Sequence, residues 1–354
     1  MRILHLISTL TGGGAERQLS YLTAELQQRG HQTLVGYVNQ GPAKWPNDTP
    51  VRQLKISRSS DPRLIWHVWR LVREFKPDVI NTWILQMDVV GGMIASLTRT
   101  PWVLREPTAA SFWKEGVKAR LRDVVSLYAA KAVIANSQGG YAYWEELAPH
   151  LPRHLITNAV PVEAIEAVEP AATGGNPTAV YAGRLQRIKN VDLAITAIAR
   201  VNERTPVDFV ICGHGPEREA LEKHAASLGI ENRVRFVGQT DEVWSFIKAA
   251  DFFLLLSDYE GTPNAALEGF AAGTPAILSD IPALHTLAPE DCAYFVKLHD
   301  ADDTARAILH VLNNPAEAKE RARCARRIVE SRSISAATDA FENVYASIRK
   351  AETR

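Results

Sequence analysis

The chain has 354 residues, 46% of them hydrophobic and 23% charged, so it is a globular protein too long for one ordinary core, and about two domains are expected. Forty basic and forty acidic residues cancel, which excludes an overall field for nucleic acid and makes any basic surface local. Three widely separated cysteines, Cys212, Cys292 and Cys324, show neither metal-ligand spacing nor a disulfide framework and point to a reducing compartment.

The opening RILHLIS reads as a buried strand and not as a signal peptide, because no small-residue cleavage site follows its short apolar run. After it come a helix over 15–29, the strand QTLVGYV, a helix over 63–75, the strand PDVINTW, a small-residue helix over 89–97 and the strand PWVLRE. A long helix over 113–130, the strand AVIANS and a helix from Gln138 complete this half. Strands alternating with helices predict a parallel sheet covered on both faces. In VEPAATGGNP, residues 168–177, Pro, Gly and small residues replace the periodic pattern and mark a linker between a domain over 1–167 and one over 178–330.

Beyond the linker the alternation restarts with TAVYAG, a helix over 191–204, VDFVICG, a helix over 217–228, RVRFVG and a helix over 243–249. The strand DFFLLLS, a helix opened by GTPNAALEG and the strand PAILSD complete it. The helical tail breaks near Pro315 and Ser331; its last segment, 331–354, carries Phe341 and Tyr345 at i, i+4 as packing residues that dock it. No apolar stretch approaches the roughly 20 residues that a membrane-spanning helix needs.

Three loops carry the chemistry. In TGGGAER, Gly12, Gly13 and Gly14 follow the first strand and open the first helix, where glycine lets backbone approach a ligand; a flexible turn is the plainer reading, since the pattern is neither G-x-G-x-x-G nor a P-loop. In GRLQRIKN, Arg184 and Lys189 stand at the C-terminal end of the second half's first strand, where α/β sheets bind ligands; a guanidinium fork and an ammonium suit diphosphate oxygens, although such a pair alone is commonly a solvated face. In YEGTPNAALEG, Thr262 is an N-cap candidate and Pro263 suits the first helical turn, so the amides of Asn264, Ala265 and Ala266 would face an anion. Glu260 precedes that turn and Glu268 lies one turn inside. Ordinary dipole-complementing acids would explain their charge but not the intervening Gly-Thr-Pro, whereas a sugar nucleotide offers both diphosphate and hydroxyls. His5 reads as a core residue, His31 and His67 as surface or boundary residues, and HDADD at 299–303 as a capping run and not a metal-binding Asp-x-Asp.

Taken in order, GGGAER, GRLQRIKN, ICGHGPER, VRFVGQTDEV and SDYEGTPNAALEGFAAGTPAILSD resemble family four of the retaining glycosyltransferases with the GT-B fold, over nearly the whole chain. E-G-x-P-x-x-x-x-E combined with G-R-x-x-x-x-K is the most specific part. The resemblance implies an α/β protein of two facing Rossmann-like domains with a C-terminal helix packed back on the N-terminal domain. It implies that the N-terminal domain binds acceptor and the C-terminal domain a nucleotide-sugar donor, with a UDP-sugar favoured. Arg184 and Lys189 would neutralise the donor diphosphate, Glu260 would hold donor sugar hydroxyls and Glu268 the ribose. Gly13 and Gly14 would approach the phosphates, Gly213 and His214 would lie near the nucleotide, and Val237 would lead to the base. The resemblance further implies retention by same-face substitution, with no enzyme nucleophile, no metal and no other cofactor.

The chain departs from the family where a histidine is usual after the fourth N-terminal strand: VLREPTAA offers Arg105 and Glu106, which would contact acceptor or phosphate. Asn158-Ala159-Val160 stands where Asn-Gly-Val is common. Seven of the eight tryptophans precede the linker, and beside Trp113 the cations Lys114, Lys118, Arg120 and Arg122 face only Glu115 and Asp123. That segment suits a helix lying on an anionic membrane and suits equally an aromatic core helix with a solvated face. The membrane reading favours a polyprenyl-diphosphate-linked acceptor at the cytoplasmic side, in polysaccharide assembly. A small soluble acceptor, or a nucleotide-sugar-binding protein without turnover, are the alternatives.

Overall fold

The computed structural model describes residues 1–10, 13–40, 45, 48–56, 61–106 and 116–352. It forms two compact units, one of Met1–Ala159 with Ile334–Arg354, the other of Val160–Ser333.

In the first unit, β1 (Arg2–Leu10), β2 (Gln32–Gln40), β3 (Val51–Gln53), β4 (Val79–Trp83), β5 (Trp102–Glu106), β6 (Ala132–Ala135) and β7 (Arg153–Leu155) form a parallel sheet in the order β3-β2-β1-β4-β5-β6-β7. Alternation along β1 feeds both faces: Ile3 and Ile7 pack with Leu19, Leu22 and Leu26 of α1 (Gly14–Gln28). Leu4 and Leu6 pack with side chains of α2 (Arg63–Phe75) and α3 (Leu85–Thr98), and the same core takes in α4 (Val117–Ala129) and α5 (Gln138–Leu147). The small residues of α3 have a steric cause, because a Cβ at Gly92 would stand 2.5 Å from the Trp102 ring. His5 is fully buried on β1, and burial pulls its imidazole down to about 3, so it is a neutral core group.

The chain enters the second unit between Ala159 and Val160, earlier than the proline- and glycine-rich stretch indicates. Gln18 explains the boundary: its amide donates to Ala159 O (2.9 Å) and accepts from Ala159 N (2.7 Å), tying the chain to α1 up to that point. Thereafter α6 (Val162–Ala167) buries Val162 and Ile165 in the second core. Residues 168–177 therefore lie inside the second unit and do not link the two.

The second sheet consists of β8 (Thr178–Ala182), β9 (Asp208–Cys212), β10 (Val234–Gly238), β11 (Phe252–Leu255), β12 (Ala276–Ser279) and β13 (Tyr294–Val296), all parallel, in the order β10-β9-β8-β11-β12-β13. Around it lie α7 (Val191–Asn202), α8 (Arg218–Ser227), α9 (Val243–Ala249), α10 (Asn264–Ala272), α11 (Pro282–Leu287), α12 (Ala301–Asn313) and α13 (Pro315–Glu330). Strands β3, β7 and β13 have three residues each, too few for a period-two signal, and were not anticipated. Asp300 caps α12 by accepting from Asp303 N at 2.8 Å, which accounts for part of the HDADD run. Cys292 and Cys324 form a disulfide with Cα atoms 4.9 Å apart, correcting the expectation of unpaired cysteines; the 32-residue separation conceals that α13 returns beside β13.

The last helix, α14 (Ile334–Glu352), belongs to the first unit. Phe341 stacks on Trp83 with ring centroids 6.3 Å apart, Tyr345 Oη donates to Asn81 Oδ1 (2.8 Å), and Arg29 pairs with Asp339 and Glu342 at 2.5 Å. Among the described residues no helix is long and apolar enough to cross a membrane.

Candidate functional site

Strands β8 and β11 are neighbours at the middle of the second sheet, and their chain connections run to opposite sides. Such a switch point opens a crevice at the carboxyl ends of the strands. The GRLQRIKN loop leaves β8 there, and the YEGTPNAALEG loop leaves β11 there.

The β8 loop is shaped by backbone. Gly183 N donates to Cys212 O (2.9 Å), Leu185 N to His214 O (2.9 Å), and Gly213 N to Gly238 O (2.8 Å), so the ends of β8, β9 and β10 are zipped together. A Cβ at Gly213 would fall on the Gly183 carbonyl oxygen, and one at Gly215 on that of Leu185. The glycines of ICGHGPER are therefore required by loop packing alone. His214 is exposed in this loop, while Val237 is half-buried in β10.

From the β8 loop Arg184 projects as an exposed side chain with no ion-pair partner among the described residues. A 3-10 turn over Arg187–Lys189 then brings Lys189 inward, and Asn190 follows in the left-handed region at φ 47°. Its side chain donates to Leu256 O (2.9 Å) and Asp258 Oδ1 (2.6 Å), fastening the β8 loop to the end of β11.

Lys189 Nζ donates to Glu260 Oε1 at 2.6 Å, and Ser257 Oγ donates to the same oxygen at 2.7 Å. The Glu260 side chain is 9% exposed and that of Lys189 19%, so the pair is largely withdrawn from water. Tyr181 lies beneath it: its hydroxyl donates to Arg184 O (2.8 Å), and burial, then the Glu260 carboxylate, hold its pKa well above the usual phenol value. His299 Nε2 approaches Asp258 Oδ1 at 3.3 Å and adds the loop before α12 to this surround.

Helix α10 begins at Asn264 with Pro263 at the cap position, at ψ 108° and without a side-chain cap. This corrects the assignment of Thr262 as cap, since the chain turns helical one residue later. The first intrahelical bond is that of Leu267 N to Pro263 O (3.3 Å), which leaves the turn over Asn264, Ala265 and Ala266 at the positive end of the helix. Glu268 is buried one turn further on. The structure thus gathers Arg184, Lys189, Glu260 and the first turn of α10 around one switch point. Tyr181, Asn190, Ser257, Asp258 and His299 belong to it and were missed; the one local signal was Ser257 three residues before Glu260.

In the first unit, Gly13 is the extended N-cap of α1 and Gly14 its first residue, while Gly12 lies outside the described residues. Arg105 and Glu106 do not present themselves to an acceptor, because both are buried at the end of β5. Arg105 donates to Asn158 Oδ1 (3.0 Å) between the Trp83 and Phe341 rings (4.8 and 5.1 Å), and burial lowers its pKa to about 10. Glu106 accepts from Arg122 Nη1 (2.8 Å) and Trp144 Nε1 (3.3 Å). Arg122 is thereby removed from the proposed membrane-facing cluster, since its cation turns inward to that carboxylate; Trp113 and Lys114 lie outside the described residues.

With this geometry established, comparison places the chain among known proteins. Residues 13–159 match the Glycosyl transferase 4-like domain model, and residues 163–329 match the Glycosyl transferases group 1 model. Lipopolysaccharide core biosynthesis glycosyltransferase LpsE of Rhizobium meliloti (strain 1021) is 27% identical over 354 residues, covering 95% of this chain and 96% of LpsE. The Escherichia coli UDP-Gal:alpha-D-GlcNAc-diphosphoundecaprenol alpha-1,3-galactosyltransferase is 23% identical, covering 82% of this chain and 80% of that protein. The crystal structure of Anabaena Alr3699/HepE in complex with UDP and glucose superposes with TM-score 0.86 at 19% identity, over 98% of this chain and all of HepE.

Proposed function

The chain belongs to the family 4-type glycosyltransferases with the GT-B fold, and from that premise we propose that it moves a sugar with retention from a UDP-sugar to a lipid-linked glycan. The observation that carries the donor assignment is the Lys189–Glu260–Ser257 cluster beside exposed Arg184 at the β8/β11 switch point. Arg184 and Lys189 supply cations for the diphosphate, and the first turn of α10 supplies amides for a phosphate oxygen. Glu260 holds hydroxyls of the donor sugar and Glu268 those of the ribose. HepE, with UDP and glucose bound, supports a UDP-sugar; LpsE and the diphosphoundecaprenol galactosyltransferase support a lipid-linked acceptor.

In the reaction the acceptor hydroxyl oxygen bonds to the anomeric carbon as the carbon–phosphate oxygen bond breaks, both on one face. The hydroxyl proton passes to the departing phosphate, giving a nucleoside diphosphate. Lys189 and Arg184 stabilise the charge that grows on that group, which is how fixed cations lower such barriers without a metal.

The test is thermal stabilisation by UDP, GDP and ADP and their sugar conjugates, with and without EDTA. A ligand at 100 times its Kd stabilises by about 2.7 kcal/mol. Stabilisation by UDP compounds alone, unchanged by EDTA, is expected, followed by transfer from the selected UDP-sugar to polyprenyl-diphosphate glycans with the anomeric configuration kept. Stabilisation by another nucleotide, loss with EDTA, or an inverted product would overturn the corresponding part.

A further inference from the structure

Among the described residues, nine of the fourteen exposed large hydrophobics lie on three helices, α2, α3 and α4, so this side of the first unit is unlike the rest of the described surface. The helices form one layer, α3 packing against both α2 and α4. On α4 the usual amphipathicity is doubled. Ala119, Arg122 and Ser126 face the core, while Val117, Leu121, Val124 and Tyr128 form a second stripe in solvent, 83%, 45%, 50% and 88% exposed. Their spacing of i, i+4, i+7 and i+11 keeps all four on one line of the helix. Leu97 of α3, 72% exposed, and Trp66 and Trp69 of α2, 51% and 42% exposed, extend the apolar layer. Isolated apolar side chains on a surface need no explanation, but a contiguous layer marks a docking face.

Charge selects the occupant. Glu74 is the exposed acid on α2, α3 and α4, and it is held by Arg52 and Arg70. Arg73, Arg99, Lys118 and Arg120 are exposed and without ion-pair partners among the described residues. In a chain with equal acidic and basic counts, four unmatched cations beside an apolar layer are a local feature. Tryptophan and tyrosine flanked by cations fit the headgroup level of a bilayer, and the cations would repel a second copy of the same face.

We propose that the outer face of α2, α3 and α4 docks on an anionic lipid bilayer. The apolar stripe of α4 with Leu97 enters the acyl boundary, Trp66, Trp69 and Tyr128 lie at headgroup depth, and Arg73, Arg99, Lys118 and Arg120 meet lipid phosphates. This surface stands apart from the donor assignment and does not depend on it.

The test uses the whole chain with vesicles of phosphatidylcholine alone or mixed with phosphatidylglycerol. Sedimentation with the mixed vesicles, weakened by salt, is expected. Leu121→Glu/Tyr128→Glu and, separately, Lys118→Glu/Arg120→Glu should each raise the lipid concentration for half-binding about tenfold or more. Brominated lipids should quench wild-type tryptophan fluorescence, with the quenching reduced in Trp66→Phe/Trp69→Phe. All substituted side chains are exposed, and an unchanged circular dichroism spectrum and Tm establish folding. UDP stabilisation should be unchanged in every variant, which separates this surface from the donor site. No binding to mixed vesicles, equal binding by the variants, or a wild-type dimer that Leu121→Glu/Tyr128→Glu dissociates would overturn the proposal.

Discussion

Replacing Lys189 with methionine tests the site most sharply, because it separates the fold's use of the cation from the donor's. The Nζ–Oε1 distance of 2.6 Å corresponds to a Coulomb attraction of about 6 kcal/mol at an effective dielectric of ~20. Desolvation of both groups offsets much of this, and removing one partner of a buried pair costs about 3–5 kcal/mol because a carboxylate is left uncompensated. With Lys189 retaining 19% exposure, the lower end applies, about 3 kcal/mol. In a unit the size of Val160–Ser333 that lowers its Tm by about 6–12 °C.

Adding Glu260→Gln to Lys189→Met removes the stranded charge while leaving Ser257 Oγ an amide oxygen to which it can donate. Stability should then recover by about 2 kcal/mol, a coupling expected of residues in direct contact. Nucleotide binding should not recover: the gain of about 2.7 kcal/mol at 100 times the wild-type Kd for UDP should be absent in the double variant. Differential scanning fluorimetry with and without UDP reads both effects. If the double variant regains the UDP response along with its stability, Lys189 serves the fold alone and the donor assignment of this cation fails.

Arg184→Ala makes the complementary case: an exposed residue without an ion pair among the described residues should change stability by less than about 0.5 kcal/mol, while calorimetry shows UDP affinity falling about tenfold or more. Gly213→Ala should destabilise by roughly 2–4 kcal/mol in urea unfolding, because its Cβ meets the Gly183 carbonyl; Gly139→Ala, in open space on α5, should stabilise by about 0.5–1 kcal/mol. Asp88 is fully buried and burial raises its carboxyl to about 7, so its contribution to stability is present below the unfolded value and is lost as pH rises to about 7. Asp88→Asn should therefore gain on the wild type by up to about 1.4 kcal/mol per pH unit between about pH 4 and 7, in urea unfolding across that range. His5, lowered to about 3, slopes the other way in both proteins and cancels in the difference; a gap independent of pH would refute the raised carboxyl.

The alternation of strands and helices was legible because both sheets are parallel and buried, which makes their strands short apolar runs separated by amphipathic helices. The loops at the second switch point were legible because Arg184, Lys189 and Glu260 stand in recognisable spacing. What supports them was not. Tyr181 in TAVYA reads as a core tyrosine, and nothing local reveals that its hydroxyl holds Arg184 O. Asn190 reads as a polite helix opener, yet its amide fastens a strand end 66 residues away. Such contacts are set by the order β8-β11 in the sheet, which no local pattern contains.

Three buried or half-buried cations show where reading charge from sequence runs out. In the sequence Arg105 and Lys189 could each be read as facing a ligand, and Arg122 as facing a membrane. Arg122 meets Glu106, with Asp88 and Asp123 nearby; burial lowers its pKa, yet these carboxylates more than offset that and leave it raised. With 1% and 0% side-chain exposure, the Arg122–Glu106 pair has no surface to offer and is part of the frame. Arg105 has an amide oxygen and two ring faces but no carboxylate, and its pKa falls. Its task is packing beneath α14. Lys189 differs from both: its carboxylate partner is buried, its side chain is partly exposed, and the exposed Arg184 stands on the same loop. A ligand can reach that ammonium without unfolding anything, and a diphosphate can take over part of the neutralisation that Glu260 provides. Partner and exposure together, more than the presence of a cation, distinguish the candidate site from the scaffold around it.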